Sequence, residues 1–562
     1  MDVFLKRYNY WKNDKFFSVS IRNELKSLTE KKEIEDRFYC DLEFGTGGLR
    51  GVMGAGTNRM NKYTVGKAST GLAKYLIDKY GEDAKTRGIV IGYDTRNNSA
   101  YFSKITADVF SSFGIKVYLS SNPRPVPQLS YSVSYFNCVA GVMITASHNP
   151  KEYNGYKVYD EYGCQLVPDL ATKIIEYVNA VEDYKQIEFT GNPDLIETID
   201  ITDDFIEAVR KQARYKDNES KKQLKIVYTP LHGTGNIPVT ETLLSEGFES
   251  LFKVEVQSTE DGDFPTVVSP NPEDRHALEL GIDQAIKENA DIVLGTDPDC
   301  DRVGVAVKHN NEYVLLTGNQ VGALLMDYVL TNTDLSNKKP AVVKTVVTSE
   351  LGADIAKKKN IRVFDTLTGF KYIGEKITQF EAAKKSHDTD RDYDFIFGYE
   401  ESYGYLAGTH ARDKDGVVSC LLICEMAAKA KQENKTLIDK LDEIYKEYGY
   451  YQDYLDSFTL KGKDGLEKID SMMADLRDND SPFSNTDSIV DYNQDVLSES
   501  FGYLPHSNVL KYFLSDGSWI AVRPSGTEPK IKIYYSVKAD DKNTASDKLE
   551  EYRKTIISRL GL

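Results

Sequence analysis

The sequence lacks both the long apolar segment of a membrane protein and the leader of a secreted one. Its 562 residues contain no apolar run long enough to cross a bilayer, and the beginning, Met1–Arg7, has no signal-peptide core. These absences argue against an integral membrane protein and against a secreted one. We therefore expect a cytoplasmic protein without a membrane partner.

Cysteine is also scarce, and its spacing excludes two further classes. The six cysteines form neither a C-x-x-C pair nor a Cys/His spacing typical of zinc sites. They are therefore predicted to be reduced thiols, mostly buried, and not a disulfide framework. Their positions are Cys40, Cys138, Cys164, Cys300, Cys420 and Cys424.

Basic residues are fewer than acidic ones, and the common nucleotide-binding motifs are missing. The chain has 70 Lys and Arg residues against 87 Asp and Glu residues, which gives a formal net charge of −17. Such a chain would repel the phosphates of nucleic acid, so we predict no nucleic-acid partner. No GK[ST] tripeptide occurs, and the glycine-rich segment 44–61 does not match G-x-G-x-x-G. Kinase and dinucleotide-binding functions therefore lose their main support.

What the sequence does contain is a long alternation of apolar strands and helices. At roughly 100–200 residues per domain, its length predicts about three to five domains. The alternation continues to about residue 450 and is typical of parallel sheets with crossover helices. We predict an α/β fold of three consecutive α/β domains with mixed, largely parallel sheets, followed by a smaller C-terminal α+β domain. The predicted boundaries are 1–205, 206–320, 321–450 and 451–562.

A serine stands where one apolar strand breaks. The run 138–144 is typical of a strand buried on both faces of a parallel sheet, and Asn149-Pro150 prevents its simple continuation. Ser147 is therefore expected at the carboxyl end of a strand, where ligands bind in open α/β sheets. There a serine can be a nucleophile that carries a group between substrates, or a turn residue.

Three carboxylates at alternate positions form a second candidate site. Asp297, Asp299 and Asp301 lie between the apolar runs 292–294 and 303–307. Carboxylates packed this closely repel one another unless a cation neutralises them, and Mg²⁺ accepts carboxylates together with phosphate oxygens. An EF-hand is excluded, because Arg302 and Lys308 stand where that loop needs Gly and Glu. An acidic, solvated turn remains the alternative.

The features around these loops also leave alternatives open. The glycine-rich segment can bring backbone N–H groups and Arg50 close to a phosphate, or it can be a flexible loop. Arg96 can lie at the rim of a site or form a structural ion pair. Asn154-Gly155 predicts a turn close to Ser147 in sequence.

Four stretches together carry a family resemblance. TASHNP (145–150), DPDCDR (297–302), GYEESYG (398–404) and RPSGTEP (523–529) resemble the four signature loops of the α-D-phosphohexomutases, in the same order. The resemblance extends across nearly the full chain. Segment 44–61 resembles the branch that contains bacterial phosphoglucomutases and phosphopentomutases. The resemblance implies four domains around a central active-site cleft.

The resemblance also implies roles for individual residues around a phosphorylated serine. It makes Ser147 the phosphate carrier and a ligand of Mg²⁺, together with Asp297, Asp299 and Asp301. It places five cationic or acid–base groups near the reacting phosphate: Arg50, His148, Lys157, Arg302 and Lys414. The segment that carries Lys414 has one extra residue after Glu400 relative to the family pattern.

Two loops have the polar groups that a phosphosugar needs. Glu400 and Ser402, two residues apart on one side of an extended segment, can pair with sugar hydroxyls, and the resemblance assigns them that role. The turn containing Thr368 and Gly369 is a further substrate-binding candidate. A guanidinium, two hydroxyls and free backbone N–H groups form a suitable cradle for a phosphate dianion at Arg523, Ser525, Gly526 and Thr527.

The function that the resemblance implies is that of a phosphoglucomutase. Such an enzyme interconverts glucose 1-phosphate and glucose 6-phosphate, with glucose 1,6-bisphosphate as primer and intermediate. Mannose phosphate or pentose phosphate substrates remain alternatives on the same scaffold. A Mg²⁺-dependent phosphosugar phosphatase and a non-catalytic phosphosugar-binding protein are the alternatives from other classes. The sequence makes no prediction of oligomeric state.

Overall fold

We describe a computed structural model of the chain, covering residues 2–45, 47–460, 462–498, 501–525 and 529–562. The chain forms two compact units. One unit comprises Met1–Leu316 and Gly404–Lys429, and the other comprises Thr317–Tyr403 and Ala430–Leu562. No helix in these described ranges is both long and apolar enough to cross a membrane.

The first unit begins with three short helices packed through aromatic side chains. Trp11 stacks on Phe17 with ring centroids 4.4 Å apart, and Phe38 meets Trp11 edge-on. These contacts bury all three rings and give the segment a small core of its own. The helices are α1 (Val3–Asn13), α2 (Val19–Ser27) and α3 (Lys31–Phe38).

A six-stranded sheet follows, and it contains the strand that leads to Ser147. Its strands are β1 (Leu49–Val52), β2 (Ile89–Tyr93), β3 (Val117–Ser120), β4 (Ala140–Ile144), β5 (Tyr153–Tyr159) and β6 (Ile196–Ile199). Their order is β1-β5-β4-β2-β3-β6. The accompanying helices are α4 (Lys62–Tyr80), α5 (Glu82–Arg87), α6 (Ser99–Ser112), α7 (Val126–Tyr135) and α8 (Pro168–Asn179). All residues of β4 are buried, as predicted, because the strand lies inside the sheet, between β2 and β5, and α6 and α7 pack against it.

The predicted turn at Asn154-Gly155 is wrong, because both residues lie inside β5. The Asn154 side chain donates from Nδ2 to Asn97 O and to Ser99 Oγ, both at 3.0 Å, and so ties β5 to the start of α6. A Cβ on Gly155 would stand 2.4 Å from Thr145 O. The glycine therefore allows the close approach of β5 to the Ser147 loop.

The second sheet of this unit carries the aspartates on a hairpin. Its strands are β7 (Ile226–Thr229), β8 (Leu251–Lys253), β9 (Ile292–Thr296), β10 (Val303–His309) and β11 (Glu312–Leu316), in the order β11-β10-β9-β7-β8. Antiparallel pairing of β9 with β10 places the aspartate loop at one end of the sheet. The helices are α9 (Thr202–Arg210), α10 (Asn218–Gln223), α11 (Asn236–Ser245), α12 (Glu255–Ser258) and α13 (Arg275–Glu288).

The second unit opens with three parallel strands. They are β12 (Pro340–Thr345), β13 (Arg362–Thr366) and β14 (Asp394–Glu400), and β12 pairs with both of the others. The helices are α14 (Gly318–Thr331), α15 (Glu350–Lys358) and α16 (Phe370–Ser386). The chain then contributes β15 (Gly404–Ala407) and most of α17 (Gly416–Gln432) to the first unit, and returns with α18 (Leu437–Tyr448).

The last part of the second unit is an antiparallel sheet covered by helices, as the predicted α+β pattern requires. The strands are β16 (Tyr450–Thr459), β17 (Thr486–Asp491), β18 (Leu510–Leu514), β19 (Trp519–Pro524) and β20 (Lys530–Ala539), in the order β16-β20-β19-β18-β17. The helices are α19 (Gly462–Asp478) and α20 (Lys542–Leu560). β18 and β19 pair antiparallel as a hairpin, and the apolar face of α20 is buried. The predicted fold class is therefore confirmed.

Candidate active site

Ser147 lies in the loop after β4 with an unusual backbone conformation. Its φ is +52°, a left-handed value that costs energy for a residue with a side chain. Its backbone N–H donates to Thr145 Oγ1 at 2.9 Å, and its Oγ donates to Asp297 Oδ2 at 2.8 Å. The loop therefore holds a buried hydroxyl directly against the aspartate hairpin.

Arg96 holds this loop through its carbonyl oxygens. The guanidinium is buried, and its Nη2 donates to Ser147 O at 2.5 Å and also to Asn149 O. Its Nη1 donates to Pro150 O at 2.9 Å and to Tyr153 O at 3.2 Å. Arg96 is also paired with Asp94, so it forms the structural ion pair that was one of its two predicted roles. A fixed planar fork of donors explains how four carbonyls can be held at once.

The three aspartates, here called the aspartate cluster, are Asp297, Asp299 and Asp301. All three are buried, and one oxygen from each lies within 4.8 Å of the other two. Burial, together with repulsion by Asp301 and Asp299, raises the pKa of Asp297 well above its usual range. Asp299 Oδ1 and Asp301 Oδ1 are buried and have no hydrogen-bond partner among the described residues. Closely spaced hard oxygens with unused lone pairs fit a divalent cation.

Two lysines approach the aspartate cluster from different segments. Lys157 Nζ, on β5, lies 2.8 Å from Asp299 Oδ2 and 3.5 Å from Asp301 Oδ2. Lys414 Nζ lies 3.1 Å from Asp301 Oδ2. Although burial opposes ionisation of Asp301, the ammonium groups of Lys414 and Lys157 hold its pKa below the usual range. The structure thus brings both predicted lysines to the cluster.

The segment that carries Lys414 is fixed by its neighbours. Asp413 Oδ2 accepts a hydrogen bond from Tyr159 Oη at 3.0 Å. Asp415 caps α17 by accepting from Val417 N at 2.7 Å, and its other oxygen contacts His410 Nε2 at 2.7 Å. The contacts of Asp413 and Asp415 therefore fix the backbone on both sides of Lys414, although this segment has one extra residue after Glu400 relative to the family pattern.

The remaining predicted groups of this site also lie near the serine. His148 Nδ1 is 3.3 Å from Ser147 Oγ. Burial, Arg302 and Arg50 lower the pKa of His148 to about 2, so its ring is neutral at pH 7. Arg50, on β1, contacts Asn149 Oδ1 at 3.4 Å, and Arg302 pairs with Glu273.

The predicted sugar-binding residues lie together in the second unit. Gly369 N donates to Glu400 Oε1 at 3.0 Å, which joins the turn after β13 to the end of β14. Thr368 Oγ1 is buried without a hydrogen-bond partner in the described ranges, so it is available to a ligand hydroxyl. Ser402 is half-buried in the turn after β14.

Glu401 is a further residue of this segment, and it was not predicted from the sequence. Its Oε2 accepts hydrogen bonds from Thr345 Oγ1 at 3.3 Å and Thr348 Oγ1 at 3.2 Å. Burial raises the pKa of Glu401. Two adjacent glutamates would have suggested this division, because successive side chains of an extended segment face opposite ways.

The predicted phosphate cradle is described only in part. Arg523 lies in β19, one residue before the strand ends, and its side chain contacts Tyr534 of β20. Ser525 N donates to Lys530 O at 2.7 Å. Gly526 and Thr527 lie outside the described residues.

One change tests whether charge repulsion governs the aspartate cluster. Asp297→Asn removes one of three mutually repelling buried charges, so the metal-free variant should unfold at a higher temperature than the metal-free wild type. Excess Mg²⁺ or Mn²⁺ should raise the unfolding temperature of the wild type and have little effect on the variant. Thermal unfolding with EDTA and with each cation gives both comparisons. Asp263→Asn, at an exposed carboxylate, serves as control; a wild type indifferent to both cations would contradict the cation site.

Comparison with known proteins agrees with this arrangement. Four domain descriptions of phosphoglucomutase/phosphomannomutase match in order: α/β/α domain I at residues 41–185, domain II at 203–310, domain III at 317–448 and the C-terminal domain at 428–552. A phosphoglucomutase of Staphylococcus haemolyticus (strain JCSC1435) is 37% identical over 532 residues, covering 92% of this chain and 94% of the relative. A phosphoglucomutase of Staphylococcus aureus (strain MRSA252) is 38% identical over 541 residues, with the same coverage.

A solved structure supports the fold. The open form of pp63/parafusin, a phosphoglucomutase from Paramecium, superposes with a TM-score of 0.69 at 17% identity, covering 93% of this chain and 95% of that one. At this identity the likeness concerns the fold alone. Together with the four domain matches and the Staphylococcus relatives, it confirms the resemblance of the four loops. The chain belongs to the phosphoglucomutase/phosphomannomutase family, within the α-D-phosphohexomutases.

Proposed function

We propose that this chain is a phosphoglucomutase that interconverts glucose 1-phosphate and glucose 6-phosphate. The observation that carries the proposal is the buried Ser147 hydroxyl, held 2.8 Å from Asp297 in a loop of left-handed backbone. A structural turn serine has no need of three buried carboxylates beside it. The Staphylococcus relatives, which are phosphoglucomutases over most of the chain, support glucose as the sugar.

The aspartate cluster and Ser147 Oγ are the proposed ligands of Mg²⁺. When bound, Mg²⁺ neutralises negative charge on a phosphoryl group during transfer. Lys157 and Lys414 orient the carboxylates of Asp299 and Asp301 by direct contact. The unused oxygens Asp299 Oδ1 and Asp301 Oδ1 support this choice of ligands.

Ser147 carries the transferred phosphoryl group. In the forward direction the bond between phosphorus and Ser147 Oγ breaks as a bond to the free sugar hydroxyl forms, giving glucose 1,6-bisphosphate. This intermediate turns around and returns its other phosphoryl group to Ser147, so the enzyme ends phosphorylated as it began. Arg96 keeps the loop in place, and Arg50, Arg302 and the neutral ring of His148 face the transferring group.

The second unit supplies the proposed sugar and phosphate contacts. Glu400 accepts from sugar hydroxyls, with Thr368, Gly369 and Ser402 around it. The proposed cradle for the phosphate that does not react consists of Arg523, Ser525, Gly526 and Thr527. The positions of the four sheets support the proposed four domains, which are 1–205, 206–320, 321–450 and 451–562. Each sheet lies within one of these ranges, except that β16 begins at Tyr450, one residue before the last range.

The proposed substrate is tested by a coupled assay with Mg²⁺ and a trace of glucose 1,6-bisphosphate. We expect isomerisation of glucose 1-phosphate well above that of mannose 1-phosphate or ribose 1-phosphate, without release of inorganic phosphate. Preference for ribose 1-phosphate would make the chain a phosphopentomutase. Phosphate release at the rate of sugar turnover would make it a phosphatase.

The role of Ser147 is tested by Ser147→Ala. We expect kcat to fall at least about 10⁴-fold, because no phosphoryl carrier remains, and labelled phosphate from glucose 1,6-bisphosphate to be absent from the protein. Ser134→Ala, at an exposed serine, should leave both readouts unchanged. Label retained on the Ser147→Ala protein would show that another residue carries the phosphate.

The role of Arg96 is tested by Arg96→Lys. A lysine keeps the charge but cannot reach four carbonyls in one plane, so the Ser147 loop should shift. We expect kcat to fall about 100-fold, because a displacement of about 1 Å suffices for such a loss, with little change in KM for glucose 1-phosphate. Unchanged kcat in a folded variant would show that the carbonyl contacts do not position the serine.

A further inference from the structure

The turn 345–348 at the end of β12 lies between the two proposed sugar-binding segments. On one side, Val346 N donates to Thr366 O at 2.8 Å, just before the turn that contains Gly369. On the other side, the hydroxyls of Thr345 and Thr348 donate to Glu401 Oε2. A shift of this turn would therefore move both segments.

Two buried lysines, here called the lysine pair, hold the carbonyls of this turn. Lys344 Nζ lies 3.4 Å from Thr345 O and 3.3 Å from Thr348 O. Lys511 Nζ donates to Val346 O at 2.7 Å. Each lysine is only 1% exposed. The turn thus has three of its carbonyls directed at ammonium groups.

Carboxylates compensate the charge of the lysine pair. Glu350 Oε1 lies 2.9 Å from Lys344 Nζ and 3.5 Å from Lys511 Nζ, and Asp365 Oδ1 lies 3.0 Å from Lys344 Nζ. Burial lowers the pKa of Lys511 to about 8, so its ammonium is still charged at pH 7. The Lys511 ammonium also lies over the ring of Trp519, 4.1 Å from its centroid. Lys511 is therefore a fixed charge and not a mobile surface group.

Lys511 belongs to the antiparallel sheet that carries the proposed phosphate cradle. It lies on β18 opposite Ala521 of β19, and β19 leads directly to Arg523. Its ammonium contacts Val346, the residue that follows β12 in the sheet of β12, β13 and β14. The contact therefore joins the strand beside the cradle to the turn between the sugar-binding segments.

We propose that Lys511 is a positioning residue for phosphosugar binding, which holds turn 345–348 so that Gly369, Glu400 and Glu401 are correctly placed. The proposal rests on the function proposed above. A lysine that served stability alone would not need its ammonium directed at a carbonyl of this turn, yet Lys511 Nζ lies 2.7 Å from Val346 O. Its specific contribution is a directed bond to one carbonyl.

The proposal is tested by Lys511→Met, which keeps the length of the side chain and removes the ammonium. We expect KM for glucose 1-phosphate to rise about tenfold, as for loss of a charged hydrogen bond, while kcat changes less than about twofold. The unfolding temperature should fall, because Glu350 and the Val346 carbonyl lose a buried partner, so both constants are measured well below it. The Kd for glucose 6-phosphate, measured by calorimetry, should rise by the same factor as KM. This second readout does not depend on turnover.

Lys538→Met is the matched control. Lys538 lies on β20 of the same sheet, and its Nζ contacts Asp354 Oδ2 on α15 at 2.9 Å without touching turn 345–348. Lys538→Met should leave KM for glucose 1-phosphate and Kd for glucose 6-phosphate unchanged. If KM and Kd rose equally in Lys511→Met and Lys538→Met, then phosphosugar binding would depend on the general packing of the sheet against α15 and not on turn 345–348.

A double variant tests the route from Lys511 to the sugar-binding segments. Thr348→Val removes a hydroxyl contact with Glu401, so it should raise Kd for glucose 6-phosphate. If both residues act through the turn, Lys511→Met/Thr348→Val should raise Kd less than the product of the single effects. Independent effects, or an unchanged Kd in Lys511→Met, would overturn the proposal. Failure of the proposed function would instead appear in the wild type, as absence of isomerisation.

Discussion

Mutual repulsion within the aspartate cluster is the constraint on which the first unit depends. Three buried carboxylates within 4.8 Å of one another are costly, and each must be held by groups that the fold brings from elsewhere. Lys157 comes from β5, Lys414 from the segment before α17, and Ser147 from the loop after β4. The convergence of these distant segments follows from the need to compensate one charge cluster. Among the described residues, Asp299 Oδ1 and Asp301 Oδ1 have no hydrogen-bond partner, and they mark where that compensation is incomplete.

Much of this site could be predicted from the sequence because its signals are local. An apolar strand that stops at Asn149-Pro150 locates Ser147, and alternate aspartates between two apolar runs locate the cluster. The same holds for the hairpin of β18 and β19, whose turn residues stand between two apolar strands. In these cases the residues that decide the structure are neighbours in the chain. The family resemblance added the roles of residues whose own sequence signal is weak, such as Lys414.

The rest could not be predicted because it depends on contacts between remote segments. Asn154-Gly155 has the composition of a turn, yet the amide of Asn154 binds the residues before α6 and both residues remain in a strand. The carbonyl contacts of Arg96 span more than fifty positions of sequence and leave no pattern in it. The division between Glu400 and Glu401 likewise depends on turn 345–348, far away in the chain. Local composition indicates what a segment can form, and tertiary hydrogen bonds decide which form it takes.

Charge balance explains why two clusters of similar composition have different chemistry. In the second unit, Glu350 and Asp365 face the lysine pair, and Lys357 lies a further 4.0 Å from Glu350 Oε2, so no negative charge is left over and the lysine pair braces a turn. In the first unit, three carboxylates face two lysines, while the nearby Arg302 is engaged by Glu273. The excess is negative and buried, and it lies beside a hydroxyl. A buried excess of negative charge is relieved by a cation from outside the chain, and the three aspartates have the spacing of a group that could hold a metal ion.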